Sequence, residues 1–344
     1  MRRPKPIHHA IAAVALALAV GESHAATYTF TTLPDPPGVN GVNSFQANGV
    51  FGSSIVGTVS TPSGNYGFVY NVQTSTYATL NDPLAASSVE GTYAEGIDGS
   101  YIVGSYENSL SQYLGYYYKI STSTYSSISG PAGNLGVVAK GVSGNDVVGL
   151  YDDSSHVSHG FIYDTSTSTF TTLDDPAATS APFYGTSALG IDGNLIVGSA
   201  ANSSGLGGAF LYNVVTSTYT PLNDPLGMSG TTEASGISGN IVVGSYVDSL
   251  GDLHGFIYNT STSTYTTVDD PLASYATNGG GIRGTSIDGV SGNSIVGVYE
   301  ASTGFDHDFL AVLTPEPSSL VLLVCGAIGF GAMVLRRKMQ ERAA

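Results

Sequence analysis

The stretch Asn240–Pro271, NIVVGSYVDSLGDLHGFIYNTSTSTYTTVDDP, decides how the rest of the chain is read. Ile241 to Tyr246 is β-branched and aromatic, and Gly255 to Asn259 is a second short run. Thr264 to Val268 is a third, in which Tyr265 and Thr267 alternate with Thr266 and Val268. Period-two patterning of Thr, Tyr, Val and Ile favours strands, and the Gly, Asn, Ser and Asp clusters between the runs favour turns. A fourth strand leads into the turn Gly236-Ile237-Ser238-Gly239. No helical period is convincing outside the two ends of the chain.

The same unit recurs six times. An apolar pair followed by glycine stands at Ile55-Val56-Gly57, Ile102-Val103-Gly104, Val147-Val148-Gly149, Ile196-Val197-Gly198, Val242-Val243-Gly244 and Ile295-Val296-Gly297. A second landmark follows it at Gly67-Phe68-Val69-Tyr70, Gly115-Tyr116-Tyr117-Tyr118, Gly160-Phe161-Ile162-Tyr163, Ala209-Phe210-Leu211-Tyr212 and Gly255-Phe256-Ile257-Tyr258, with Asp308-Phe309-Leu310-Ala311 a degenerate sixth. The third is an acidic turn, Asp35-Pro36, Asp82-Pro83, Asp175-Pro176, Asp224-Pro225 and Asp270-Pro271, replaced in the third unit by Gly130-Pro131. The landmarks repeat every 45 to 53 residues. Four short strands in that length is the size of a propeller blade.

The array starts and stops in mid-unit. It opens at Tyr28-Thr29-Phe30-Thr31-Thr32-Leu33, which matches Tyr265-Thr266-Thr267-Val268, and ends at Phe309-Leu310-Ala311-Val312, which matches the Gly-Phe-Ile-Tyr run. The two fragments complete each other, and pairing them removes a raw sheet edge. A solenoid needs caps, not complementary ends. The expectation is an all-β, six-bladed β-propeller over 26–314, closed by N- and C-terminal strands, with a β-solenoid as the alternative.

The ends read differently. Arg2, Arg3 and Lys5 precede the apolar run Ile11–Val20, and Ser23 and Ala25 are small residues at −3 and −1. This is the pattern of a signal peptide over 1–25, cut by signal peptidase between Ala25 and Ala26; an N-terminal anchor is the alternative. At the other end, Pro315-Glu316-Pro317 precedes Leu320–Leu335, 16 residues without charge, and then Arg336, Arg337 and Lys338. An apolar helix over 318–335 followed by basic residues stops in a membrane with its basic end in the cytoplasm. The order and position of these parts resemble the PEP-CTERM sorting signal of Gram-negative bacteria. That resemblance covers roughly the last 30 residues, 315–344. It implies cleavage near Pro-Glu-Pro by an exosortase, a membrane-embedded cysteine protease, and a setting in a bacterium that makes extracellular polysaccharide. A plain C-terminal anchor is the alternative. The repeats, with phrases such as Gly255-Phe256-Ile257-Tyr258 and Asp269-Asp270-Pro271, also resemble HAF-type extracellular repeats, which implies a β-repeat architecture and no catalytic residue.

Charge narrows the functions. The chain of 344 residues has 10 Lys+Arg, 26 Asp+Glu and one Cys. Residues 26–314 keep only Lys119, Lys140 and Arg283 against 23 acids, a net charge of −20. Such a body repels nucleic acid and anionic lipid, and attracts cations. The single cysteine excludes a disulfide framework or a multi-cysteine metal site.

Little of the body carries recognisable chemistry. His156, His159, His254 and His307 are read as packed or hydrogen-bonded side chains rather than metal ligands. The pairs Asp152-Asp153, Asp174-Asp175, Asp269-Asp270 and Asp306/Asp308 suit a hard cation such as calcium, but no calcium-loop motif is present. Asp before Pro also ends a strand by accepting backbone hydrogen bonds, which fits Asp82, Asp175, Asp224 and Asp270. Glycan cleavage needs carboxylates that break the repeat and meet across the ring; Glu90, Glu95, Glu107, Asp146, Glu233 and Glu300 qualify only by being acidic. No Gly-x-Ser-x-Gly elbow occurs. The in-register tyrosines Tyr70, Tyr118, Tyr163, Tyr212 and Tyr258 are expected to pack between blades. Tyr66, Tyr93, Tyr113, Tyr184 and Tyr275 fall out of register and suit a sugar-stacking surface. The expectation is a non-enzymatic protein without cofactor, exported to the cell surface or secreted, with exopolysaccharide or a surface protein as partner. A calcium-dependent adhesion module and a glycan hydrolase are the alternatives.

Overall fold

The computed structural model describes residues 27–36, 45–61, 64–85, 91–179, 181–201, 207–275 and 284–314. The expected signal-peptide site at Ala25 and Ala26, the Pro315-Glu316-Pro317 motif, the helix over 318–335 and the stop Arg336, Arg337 and Lys338 lie outside these. Tyr28–Leu313 form one compact unit.

That unit is a six-bladed β-propeller, with six four-stranded sheets and no helix among the described residues. Blades 1 to 5 run through 45–80, 92–128, 136–173, 186–222 and 233–267, each with its strands in chain order from the axis outward. Blade 6 is built from both ends: Thr285–Ser291, Ser294–Glu300 and Asp306–Thr314 are followed outward by Thr27–Thr32. The run ending in Gly236-Ile237-Ser238-Gly239 is the innermost strand of its blade, Glu233–Ser238.

The N-terminal strand takes the place of an ordinary fourth strand in detail. In every blade a third-strand aromatic faces a fourth-strand aromatic: Phe68 and Tyr77, Tyr116 and Tyr125, Phe161 and Phe170, Phe210 and Tyr219, Phe256 and Tyr265, with centroids 4.8 to 5.6 Å apart. In blade 6 the pair is Phe309 and Phe30, at 5.3 Å. Tyr106, Tyr151 and Tyr246 share a hydrogen bond with Ser127, Thr172 and Thr267 of their own fourth strands, at 2.9 to 3.1 Å. Tyr299 makes the same bond to Thr32, 267 residues away, at 3.0 Å. Leu33 N–H donates to the Asp308 carbonyl. The third-strand aromatics are among the most buried side chains of the molecule and anchor the core between blades.

Two sets of glycines let the strands approach. A Cβ on Gly57, Gly104, Gly149, Gly198, Gly244 or Gly297 would lie 1.9 to 2.0 Å from a carbonyl oxygen of the neighbouring inner strand. On the inner strands, a Cβ on Gly49, Gly96, Gly141, Gly190, Gly236 or Gly289 would lie 3.0 to 3.5 Å from the Cα of the equivalent glycine in the next blade, and Gly289 meets Gly49. The second set is therefore a closed ring around the axis.

The Asp-Pro turns serve the same packing. Asp82, Asp175, Asp224 and Asp270 each donate N–H to a threonine hydroxyl at the start of the next blade, Thr92, Thr186, Thr232 and Thr285, at 2.8 to 3.0 Å. Their carboxylates accept the N–H two residues on. Where Gly130-Pro131 replaces the motif, the threonine position holds Val137 and packs against Gly130. The in-register tyrosines pack between blades as expected: Tyr70 clusters with Val296 and Leu310, Tyr118 with Val56 and Leu80, Tyr163 with Val103 and Ile128, Tyr212 with Val148 and Leu173, and Tyr258 with Val197 and Leu222, each from the preceding blade. Tyr70, Tyr118, Tyr212 and Tyr258 also lie against the fourth-strand tyrosine of their own blade, with ring centroids 4.4 to 4.7 Å apart, because directly opposed rings in an antiparallel pair are nearest neighbours.

Removal of residues 27–33 should lower the melting temperature of the whole propeller in one transition, with a loss of at least about 3 kcal/mol from the stripped Phe309 contact and opened sheet edge. Unchanged melting would show that the ring does not depend on its N-terminal strand.

Candidate functional site: the central channel

Each inner strand slips its register by one residue just before the ring glycine, between Ala47 and Gly49, Ala94 and Gly96, Ala139 and Gly141, Ala188 and Gly190, Ala234 and Gly236, and Ile287 and Gly289. A bulge of this kind leaves the extra residue unpaired and re-aims its side chain. The extra residues are Asn48, Glu95, Lys140, Leu189, Ser235 and Asp288, and all six line one cavity of about 320 Å³ at the axis. The immediate flanks of the bulge, Ala or Ile before it and Gly then Val or Ile after it, barely change from blade to blade, whereas the bulged residue differs in all six. Gln46 and Glu233, three residues before their ring glycines, add to the lining, and aliphatic residues such as Val50 and Ile191 follow the glycines.

The lining is acidic with one cation. Lys140 Nζ lies 3.0 Å from Glu95 Oε2 across the boundary of blades 2 and 3. Asp288 accepts a hydrogen bond from the Ser286 hydroxyl at 3.1 Å, while its Oδ2 is buried and has no partner among the described residues. Burial pushes the Asp288 carboxyl up to about 7, with Glu233 and Glu95 adding to the rise and Ser286 and Lys140 opposing it. A smaller cleft of about 110 Å³ shares Gln46, Asn48 and Glu95 with the channel and continues between blades 1 and 2 past Thr58, Ser60, Asn65 and Tyr93. There Asn65 donates to the Tyr93 hydroxyl at 2.6 Å, and Asn48 donates to the Ala94 carbonyl at 2.9 Å. Thr58 Oγ1 is buried without a partner among the described residues.

Of the acids singled out by sequence, Glu95 and Glu233 reach the channel. Glu107 and Glu300 occupy equivalent buried positions at the ends of second strands, Asp146 starts a second strand, and Glu90 lies outside the described residues. Asp288, Lys140 and Asn48 were not singled out. The signal for them is in the sequence: an Ala-x-Gly frame followed by Val or Ile, repeated five times with a different x, and once as Ile287-Asp288-Gly289-Val290.

The aspartate pairs are divided between separate tasks. Asp174 accepts from His159 Nδ1 at 2.8 Å and Asp269 pairs with His254 Nδ1 at 2.9 Å, while Asp175 and Asp270 cap their turns. Asp153 accepts the N–H of Ser155 and Val157, and Asp152 accepts the Ser158 hydroxyl. Asp308 accepts the Ala47 N–H at 2.6 Å, joining blade 6 to blade 1. His159 and His254 stack on Tyr151 and Tyr246, and His156 stacks on Phe183. Among the described residues no three His, Cys, Asp or Glu side chains gather as a metal site. Of the out-of-register tyrosines, Tyr93 lines the cleft and lies 5.9 Å from the exposed Tyr113 ring, whereas Tyr275 stacks on His254.

No protein-family model matches the chain, and no curated protein is similar to it at a significant level. Solved structures are. A putative TolB from Agrobacterium tumefaciens aligns with a TM-score of 0.51 and 13% identity, over 78% of this chain and 90% of its own. The β-propeller domain of the Trilobed protease from Pyrococcus furiosus, described as having an open velcro topology, aligns with a TM-score of 0.49 and 10% identity, over 78% of this chain and 95% of its own. At 13% identity the likeness to the TolB structure is one of fold.

Asp288 gives a pH signature. Its folded value lies above the ordinary carboxylate value of 3.8, so the folded state holds a proton that the unfolded state releases. Its contribution to stability is therefore lost as pH rises from about 4 to 7. Asp288→Asn should leave melting near pH 4 unchanged and stabilise the protein above pH 7, by an amount on the order of 4 kcal/mol. Equal melting curves at pH 8 would contradict a desolvated carboxyl in the channel.

Proposed function

We propose that the protein is a non-enzymatic propeller exported by its N-terminal segment, sorted through its Pro-Glu-Pro tail by an exosortase, and associated outside the cell with exopolysaccharide. The observation that carries the recognition reading is the division of labour within the repeat. Positions that recur are used up in blade packing, whereas the variable bulge residues collect in one channel beside a cleft lined by Tyr93, Asn65, Ser60 and Gln46. Amide, hydroxyl and aromatic groups in a concave site suit a polyhydroxylated ligand. The positively charged start, the apolar runs and the terminal Arg336-Arg337-Lys338 support export and sorting. Channel carboxylates alone do not specify catalysis, since Glu95 is paired with Lys140.

The test is co-sedimentation of the purified protein with the extracellular polysaccharide of the bacterium that makes it, with calcium and with chelator. The expected result is binding in both conditions with no release of saccharide products between pH 4 and 9. Absence of binding would overturn the polysaccharide reading, binding lost in chelator would favour the calcium-dependent adhesion module, and released products would favour the hydrolase.

A further inference from the structure

The channel holds three carboxylates and one ammonium. Lys140 is committed to Glu95, and neither Glu233 nor Asp288 is in an ion pair among the described residues. Asp288 Oδ2 is a buried acceptor with no donor, in a cavity at the small end of the roughly 300–1,000 Å³ range of small-molecule sites. A buried acceptor without a donor carries a desolvation cost that a ligand donor would offset. An ammonium group, with three N–H donors and a positive charge, would meet both the carboxylate charge and the unpartnered acceptor. Around them, Gln46, Asn48 and Ser235 supply amide and hydroxyl groups, and the cleft adds the unpartnered Thr58 Oγ1 beside the Tyr93 ring.

We propose that the channel and its side cleft bind a saccharide bearing an ammonium group, with the ammonium between Glu233 and Asp288 and the ring hydroxyls on Gln46, Asn48 and the cleft. The inference rests on the glycan-associated reading and names the sugar class. The excess of negative charge selects against a uronate, which would add a third uncompensated carboxylate. Glu233 is the charge that most raises Asp288, and Glu95, Lys140 and Asp308 are the other charged groups acting near it. An ammonium seated there would favour the ionised Asp288.

The test is calorimetric titration of the full-length protein, in detergent, with a glucosamine oligomer, its N-acetylated counterpart, a uronate oligomer of equal length and a simple diamine. The expected result is binding of the glucosamine oligomer at least tenfold tighter than the other three. Glu233→Gln and Asp288→Asn should each weaken it at least tenfold without loss of melting temperature. Equal binding of the N-acetylated or uronate oligomer would overturn the charge selection, and equal binding of the diamine would overturn the sugar. Unaltered affinity in both variants would place the site elsewhere. Polysaccharide co-sedimentation that persists in the absence of any oligomer binding would sink this inference while leaving the matrix association standing, whereas loss of both would remove the two together.

Discussion

Everything in the propeller depends on how closely six inner strands can approach at the axis. At Gly49, Gly96, Gly141, Gly190 and Gly289 only 3.0 to 3.3 Å separates where a Cβ would sit from the next glycine Cα, distances at which a real Cβ is crowded by backbone, and at Gly236 the gap is an ordinary 3.5 Å. Glycine is used here for its missing side chain, not for a left-handed backbone. The close ring holds each inner strand against its neighbours, and the residue just before each glycine is squeezed out of the ladder as a bulge. Scaffold and site therefore share one origin. The same inner strands deliver one bulged residue per blade into the channel lining.

The polyanionic character of the body shows how the fold handles charge. With three basic residues against 23 acids in 26–314, most buried carboxylates have no cation to meet. They are met by backbone donors instead. Asp82, Asp224 and Asp270 accept the N–H of Leu84, Leu226 and Leu272, and Asp308 accepts that of Ala47. Burial still raises all four above the ordinary carboxylate range, most strongly Asp308. A raised carboxyl favours the folded state on the acidic side, so these turns and Asp288 bias stability in the same direction. Hydrogen bonds from N–H groups make burial tolerable here without making it free.

The architecture was legible because the repeat is written in short landmarks with complementary ends. Tyr28–Leu33 could be matched to Tyr265–Val268 by inspection, and the Phe30–Phe309 and Thr32–Tyr299 contacts are the physical form of that match. The turn role of Asp-Pro was legible for the same reason, since Asp82, Asp175, Asp224 and Asp270 recur in register. The channel was not. A bulge is a property of two paired strands, and nothing in Ala234-Ser235-Gly236 alone distinguishes an expelled serine from one on an ordinary face. Acidity was a poor guide, since it selected Glu107 and Glu300, which lie at the ends of second strands, and passed over Asp288. The informative feature is a varying residue held between a small apolar residue and the ring glycine, since Asn48, Glu95, Lys140, Leu189, Ser235 and Asp288 all differ inside the same frame.

The most direct test of the shared origin is a paired comparison of thermal unfolding for Gly190→Ala and Gly208→Ala. On Gly190 the new methyl would lie 3.0 Å from the Gly236 Cα and 3.1 Å from the Ser235 carbonyl oxygen, whereas on Gly208 it meets no described atom within 4 Å. The account predicts a loss of about 1–3 kcal/mol for the first. It predicts no loss for the second, which reduces only unfolded-chain freedom. Equal stability of Gly190→Ala and the unaltered protein would contradict it, for the inner strands would then have room that a glycine ring does not leave.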